Sequence, residues 1–260
     1  MGTIVNTFDL TARPETAREP VRSPSKAATF QPEEELVSLF TIETFEANMY
    51  RVLMHRIEDT RGNGGRGVIA VTSPGAGEGK TTTAINLAGT LAQSKGSRVL
   101  LVDADLRLPD VAMRLGIRTE GQPGLADAIL DARLPLEAVV RDRPPFNLSV
   151  LTSGRLPAAP YETLRSPRLG DLLDQARRAY DYVIIDTPPV LPVPDCRVIS
   201  HWVDSLLLVV AAHRTPRRYL EEALNALDPA KVAGVVFNSV DPPQHGPYGY
   251  YRGYSAPLAR

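Results

Sequence analysis

Between the apolar run Val68–Thr72 and a helical pattern beginning near Lys80 lies Ser73-Pro-Gly-Ala-Gly-Glu-Gly79, and no other stretch restricts the fold as tightly. A strand that passes through a glycine-rich loop into a helix N-terminus gathers backbone N–H groups around an anion, and the helix dipole adds to their pull. Lys80 is placed to reach β- and γ-phosphates, and the Thr81 hydroxyl to join a Mg²⁺ shell. The strict G-x-x-x-x-G-K-[ST] expression has glycine where Pro74 stands, but Gly75 and Gly77 keep the turn free. The candidate nucleotide-binding residues are Gly75, Ala76, Gly77, Glu78, Gly79, Lys80, Thr81 and Thr82. A dinucleotide fingerprint fits poorly, because G-x-G-x-x-G counted from Gly75 or Gly77 needs glycine at Lys80 or Thr82.

Strand and helix patterns alternate after this loop. Residues 68–72, 98–102, 148–151, 182–185, 205–211 and 232–237 are short apolar runs of the kind covered on both faces. Helical patterns fit at 80–94, 124–131, 161–179 and 216–227. The order predicts an α/β fold of the P-loop NTPase type, a mainly parallel sheet with helices on both faces and ligands at the strand C-termini. Two further strands end in acid there. Val99-Leu-Leu-Val-Asp103-Ala-Asp105 supplies two carboxylates spaced for a metal contact and a base, and Tyr182-Val-Ile-Ile-Asp186 supplies an acid that orders Mg²⁺. Candidate catalytic residues are therefore Lys80, Asp103, Asp105 and Asp186, with Thr81, Asp105 and Asp186 around the metal. Arg107 serves either a surface salt bridge or a phosphate.

Composition narrows the rest. With 29 Lys+Arg against 30 Asp+Glu the net charge is −1, which argues against a bulk nucleic-acid binder. A single cysteine, Cys196, excludes an internal disulfide framework and fits a reducing compartment. No apolar run reaches membrane-spanning length and no secretory signal pattern opens the chain, so a cytoplasmic location is expected. Residues 1–32 read as disordered, 33–240 as the P-loop domain with a leading helix over 33–60 and a glycine-rich linker over 61–67, and 241–260 as a flexible tail. Four of the nine tyrosines, Tyr248, Tyr250, Tyr251 and Tyr254, fall in the last thirteen residues.

The loop SPGAGEGKTTTAINLA, then LLVDADLRLP, then YDYVIIDTPPV resemble the Walker A, A′ and B motifs of the bacterial tyrosine kinases of capsule and exopolysaccharide synthesis. The likeness covers about residues 33–254 and includes NLSVLTSGRLPAAPYETLRS and VVFNSV. It implies phosphoryl transfer from ATP with Mg²⁺ to the enzyme's own tail, with Tyr248, Tyr250, Tyr251 and Tyr254 as phosphoacceptors. By the same motifs Asp103 is the base for the tyrosine hydroxyl, and Asp105 and Asp186 arrange the metal. Asn238 either touches adenine or caps its strand. The implied partners are a transmembrane polysaccharide co-polymerase that activates the kinase and recruits it to the inner membrane face, a cognate tyrosine phosphatase, and further copies of the chain in a ring.

Two departures bear on this. The ring-forming Glu-x-x-Arg-x-x-Arg of the family aligns here with Asn48, Arg51 and Met54, so the leading helix either joins subunits by packing alone or serves its own domain's core. Ala76 replaces the loop's usual proline. Two other functions compete: a partition- or placement-type P-loop ATPase, whose first signature lysine falls here on Gly75, and a nucleotide-binding pseudokinase that only regulates.

Overall fold

The computed structural model describes residues 36, 44–61, 67–144 and 146–240. Apolar side chains that alternate along each run bury both faces of a sheet, and the six runs become its six parallel strands. These are β1 (Gly67–Thr72), β2 (Val99–Asp103), β4 (Leu148–Leu151), β5 (Tyr182–Asp186), β6 (Ser205–Ala211) and β7 (Val232–Asn238). A two-residue β3 (Arg141–Asp142) pairs antiparallel with β4. The seven strands lie in the order β3-β4-β2-β5-β1-β6-β7.

Ile69, Val71, Leu101, Ile184 and Leu207 point to one core, shared with helices α1 (Phe45–Arg61) and α2 (Lys80–Ala92). Their strand neighbours Ala70, Leu100, Val183 and Leu206 point to the other. That second core takes in α4 (Leu125–Leu130), α7 (Pro167–Ala179), α8 (Asp195–Ser200) and α9 (Arg217–Ala226). Helix α2 is buried from Thr83 to Ala92 on every side, so it shows no polar face. Two of its interior polar side chains bond within the helix, Asn86 Nδ2 donating to the Thr82 carbonyl and Thr90 Oγ1 to the Asn86 carbonyl, while the buried Thr83 hydroxyl has no partner.

The leading helix begins later than the apolar spacing suggests. Thr44 Oγ1 accepts from the Ala47 backbone N–H at 3.1 Å, an N-cap that starts α1 at Phe45. Leu36 is fully buried in the α1–α2 core but lies outside any helix. The pattern over 161–179 is two helices, α6 (Pro160–Arg165) and α7, because Ser166 caps the second and Pro167 has no N–H to continue the first. Short helices α3 (Val111–Arg114), α5 (Leu136–Val139) and α8 have too few residues to show a period. Residues 1–32, the linker interior 62–66 and the tail 241–260 lie outside the described residues, so their expected disorder and flexibility stand untested. Among the described residues no helix is long and apolar enough to cross a membrane.

Candidate functional site

The sheet order puts β5 between β1 and β2, although it follows both in the chain. Asp103 and Asp186 therefore face each other in register at adjacent strand ends, and Val71 of β1 pairs with Asp186 on its other side. The glycine-rich loop leaves β1 at that edge and delivers Lys80 and Thr81 above the acids. Lys80 Nζ lies 3.0 Å from Asp105 Oδ2 and 3.5 Å from Asp186 Oδ2. The Thr81 hydroxyl donates to Asp186 Oδ2 at 2.7 Å. A cleft of about 640 Å³ opens over these groups, walled on one side by Leu108, Leu156, Pro189 and Val193.

Loop conformation explains the glycines. Gly77 and Gly79 take φ +74° and +92°, a region side chains avoid. A Cβ on Gly79 would also collide with Asn238 Nδ2. Asn238 ends β7 and donates from that amide to the Glu78 carbonyl at 3.1 Å, so it braces the loop across the sheet. The Glu78 side chain turns inward, where Oε1 accepts from the Gly75 N–H at 3.0 Å, which leaves only its backbone for a nucleotide. Burial raises the Glu78 pKa against hydrogen bonds from Thr215, Gly75 and Ala211.

Three carboxylates and one ammonium share this edge, and all three acids are buried. Burial pushes Asp186 up to about 6, although Lys80 and the Thr81 hydroxyl pull the other way. Burial, and then the charge of Asp186, hold Asp103 well above the ordinary carboxylate range. Desolvation works against the Lys80 charge, but Asp186 and Asp105 outweigh it and raise its pKa. Asp103 is enclosed: Oδ1 accepts from the Asp105 N–H and Oδ2 from the Val111 N–H, each at 3.2 Å. Asp105, not Asp103, lines the cleft.

Asp186 Oδ1 is buried with no hydrogen-bond partner. Together with the Thr81 hydroxyl it offers the hard oxygen donors that Mg²⁺ prefers. Among the described residues no three His, Cys, Asp or Glu side chains form a metal cage.

Residues 66–228 match the family model described as an AAA domain. Tyrosine-protein kinase YwqD of Bacillus subtilis is 34% identical over 218 residues, 83% of this chain and 90% of that protein. The chain belongs to the bacterial tyrosine kinases. Within this kinase family the VpsO kinase domain superposes with a TM-score of 0.67 at 32% identity, over 80% of this chain and 95% of that one. The succinoglycan biosynthesis transport protein ExoP of Rhizobium meliloti is 34% identical over 192 residues, 72% of this chain. The kinase chain spans only 24% of ExoP, and the same share of EpsB from Ralstonia.

The sequence candidates thus converge, with two outcomes to record. Arg107 lines the cleft and makes a salt bridge there: Nε and Nη2 donate to the two carboxylate oxygens of Asp195 at 2.7 and 3.0 Å. In the leading helix Arg51 Nη1 donates to Asn48 Oδ1 at 2.7 Å, so two of the three ring-motif positions bond one another along α1. Sequence reasoning missed Asp195 and also Arg114, which reaches the Thr82 hydroxyl at 3.2 Å from the cleft wall. The four tail tyrosines lie outside the described residues.

Proposed function

We propose that this chain transfers the γ-phosphoryl group of ATP to tyrosine hydroxyls of its own C-terminal cluster, Tyr248, Tyr250, Tyr251 and Tyr254. The observation that carries the reading is the meeting of Lys80, Thr81, Asp105 and Asp186 under one cleft beside in-register Asp103. Backbone N–H groups of the loop from Gly77 to Thr82 hold the phosphates, and Lys80 leaves its carboxylates to reach them. Thr81 and Asp186 Oδ1 would hold Mg²⁺, with Asp105 beside them. The metal, when bound, neutralises charge on the transferring group.

The phenolic oxygen forms the new bond to phosphorus as the bond to the ADP oxygen breaks, and the phenolic proton passes to the protein. The Walker A′ pair shares the acceptance of that proton, since Asp103 has the raised basicity and Asp105 the access. Apolar walls at Leu108, 76% exposed, and Leu156, 53% exposed, suit an aromatic ring better than a serine side chain. Asn238 stands at the loop's other flank, where the adenine would extend. The names of ExoP and its relatives support a role in making or exporting an extracellular polysaccharide, with a membrane protein as activator and anchor. Self-association and a dedicated phosphatase complete that regulatory cycle, since each phosphate adds about −1.5 to −2 charges to the tail.

The test is incubation with Mg·ATP, alone and with the activator's cytoplasmic segment, followed by phosphotyrosine detection. Signal is expected from the wild type, to vanish in Lys80→Met, and to fall when the four tail tyrosines become Phe. ATP hydrolysis without phosphotyrosine in every arm would overturn the reading.

A further inference from the structure

The structure assigns Asp195 as a positioning residue for phosphoryl transfer, acting through Arg107 to fix Asp105 in the lining of the cleft. Asp195 opens helix α8 and is completely buried. Its two oxygens take a forked pair of hydrogen bonds from the Arg107 guanidinium, which fixes distance and plane together, as a lysine in that place would not. Arg107 in turn carries the backbone that orients Asp105. Asp105 Oδ1 accepts from the Arg107 N–H at 3.3 Å and the Leu108 N–H at 3.0 Å, while its other oxygen meets Lys80.

The anchor end is itself fixed to the phosphate loop. In the segment leading to α8, the Val190 N–H donates to the Ser73 carbonyl at 2.8 Å and the Leu191 N–H to the Pro74 carbonyl at 3.2 Å. A closed circuit results: phosphate loop, segment 188–194, Asp195, Arg107, Asp105, Lys80, phosphate loop. Strand pairing places Asp103 and Asp186, which sit within the sheet, but Asp105 lies beyond the end of β2 and has no ladder to hold it. The Asp195–Arg107 fork does for Asp105 what the sheet does for the other two. Stability is a weak reason for such a pair, because the Arg107 side chain is exposed and solvent screens its attraction to the buried Asp195. Geometry is what an apolar exchange would lose.

This inference rests on the kinase reading, and the wild-type arm separates the two. Steady-state kinetics of phosphotyrosine formation and thermal melting are measured for wild type, D195N, R107K and the apolar pair R107M/D195L. The pair removes the charge, so it folds even if D195N does not. The expected result is a kcat about 100-fold down in R107M/D195L and in folded D195N, as for a reacting group displaced by about an ångström. KM for ATP should move less than about threefold, since the phosphate loop is untouched. R107K, which keeps charge without the fork, should recover part of kcat. A folded R107M/D195L with wild-type kcat overturns the inference, as does a parallel loss of kcat, ATP affinity and melting temperature in all three variants. A wild type without phosphotyrosine both alone and with the activator's cytoplasmic segment refutes the kinase reading instead; the same split is then read on ATP hydrolysis.

Discussion

Asp186→Asn should make the nucleotide-free protein more stable at neutral pH, and by an amount that depends on pH. Burial raises this carboxyl from 3.8 to about 6. Between those values the folded state holds a proton that the unfolded state has released, so the unfolded state binds fewer protons and stability falls as pH rises. The contribution is complete below about pH 4 and gone above about pH 6, and the span corresponds to about 3 kcal/mol. Asparagine does not titrate and escapes this loss. Asp103 is also raised, partly by Asp186, so the substitution relieves it in the same direction. Urea unfolding followed by circular dichroism, on both proteins from about pH 4 to pH 7.5, gives the difference directly and cancels the titrating groups that do not interact with Asp186. The mutant's advantage should grow by about 3 kcal/mol across that range, with most of the change centred between about pH 4 and pH 6. Two parallel profiles would refute the claim that burial of an ionised Asp186 costs the folded protein stability.

ADP affinity measured by calorimetry should fall by at least about tenfold in EDTA, because freeing Lys80 then leaves three buried acids without a cation. Gly79→Ala should destabilise by about 1–3 kcal/mol in a thermal melt, and adding Asn238→Ala should recover only part, since the clash goes but the positive φ remains. Thr44→Ala should cost about 1 kcal/mol through the lost α1 cap, and leave nucleotide affinity unchanged.

Strands and the chemistry at their ends are plain in the sequence because both are local. A fully covered parallel strand is one unbroken apolar run, and its last residue is where an acid becomes useful, as at Asp103 and Asp186. What brings those two together is strand order, and nothing near either residue states that β5 enters between β1 and β2. Asp195 is illegible for the same reason. It follows a run of prolines and looks like a helix-start acid, while its partner Arg107 lies 88 residues earlier. Asn238 was visible as a strand end, but its hold on the loop joins residues 160 apart. The late start of α1 was readable: Thr44 is a good capping residue, and apolar spacing alone had masked it.

The site is arranged around a charge that its own residues do not balance. Asp103, Asp105 and Asp186 surround one ammonium, and burial makes each unpaired negative charge costly. The protein moderates this by raising Asp186 and Asp103 so that they hold protons more readily. A triphosphate alone would worsen the imbalance, since it brings more negative charge and draws off Lys80. A divalent cation held by Thr81 and by Asp186 Oδ1, the buried oxygen that has no partner, would offset part of that negative charge. On the kinase reading, nucleotide and metal binding would be coupled through Lys80, because a triphosphate that draws the ammonium away leaves the acids without their cation.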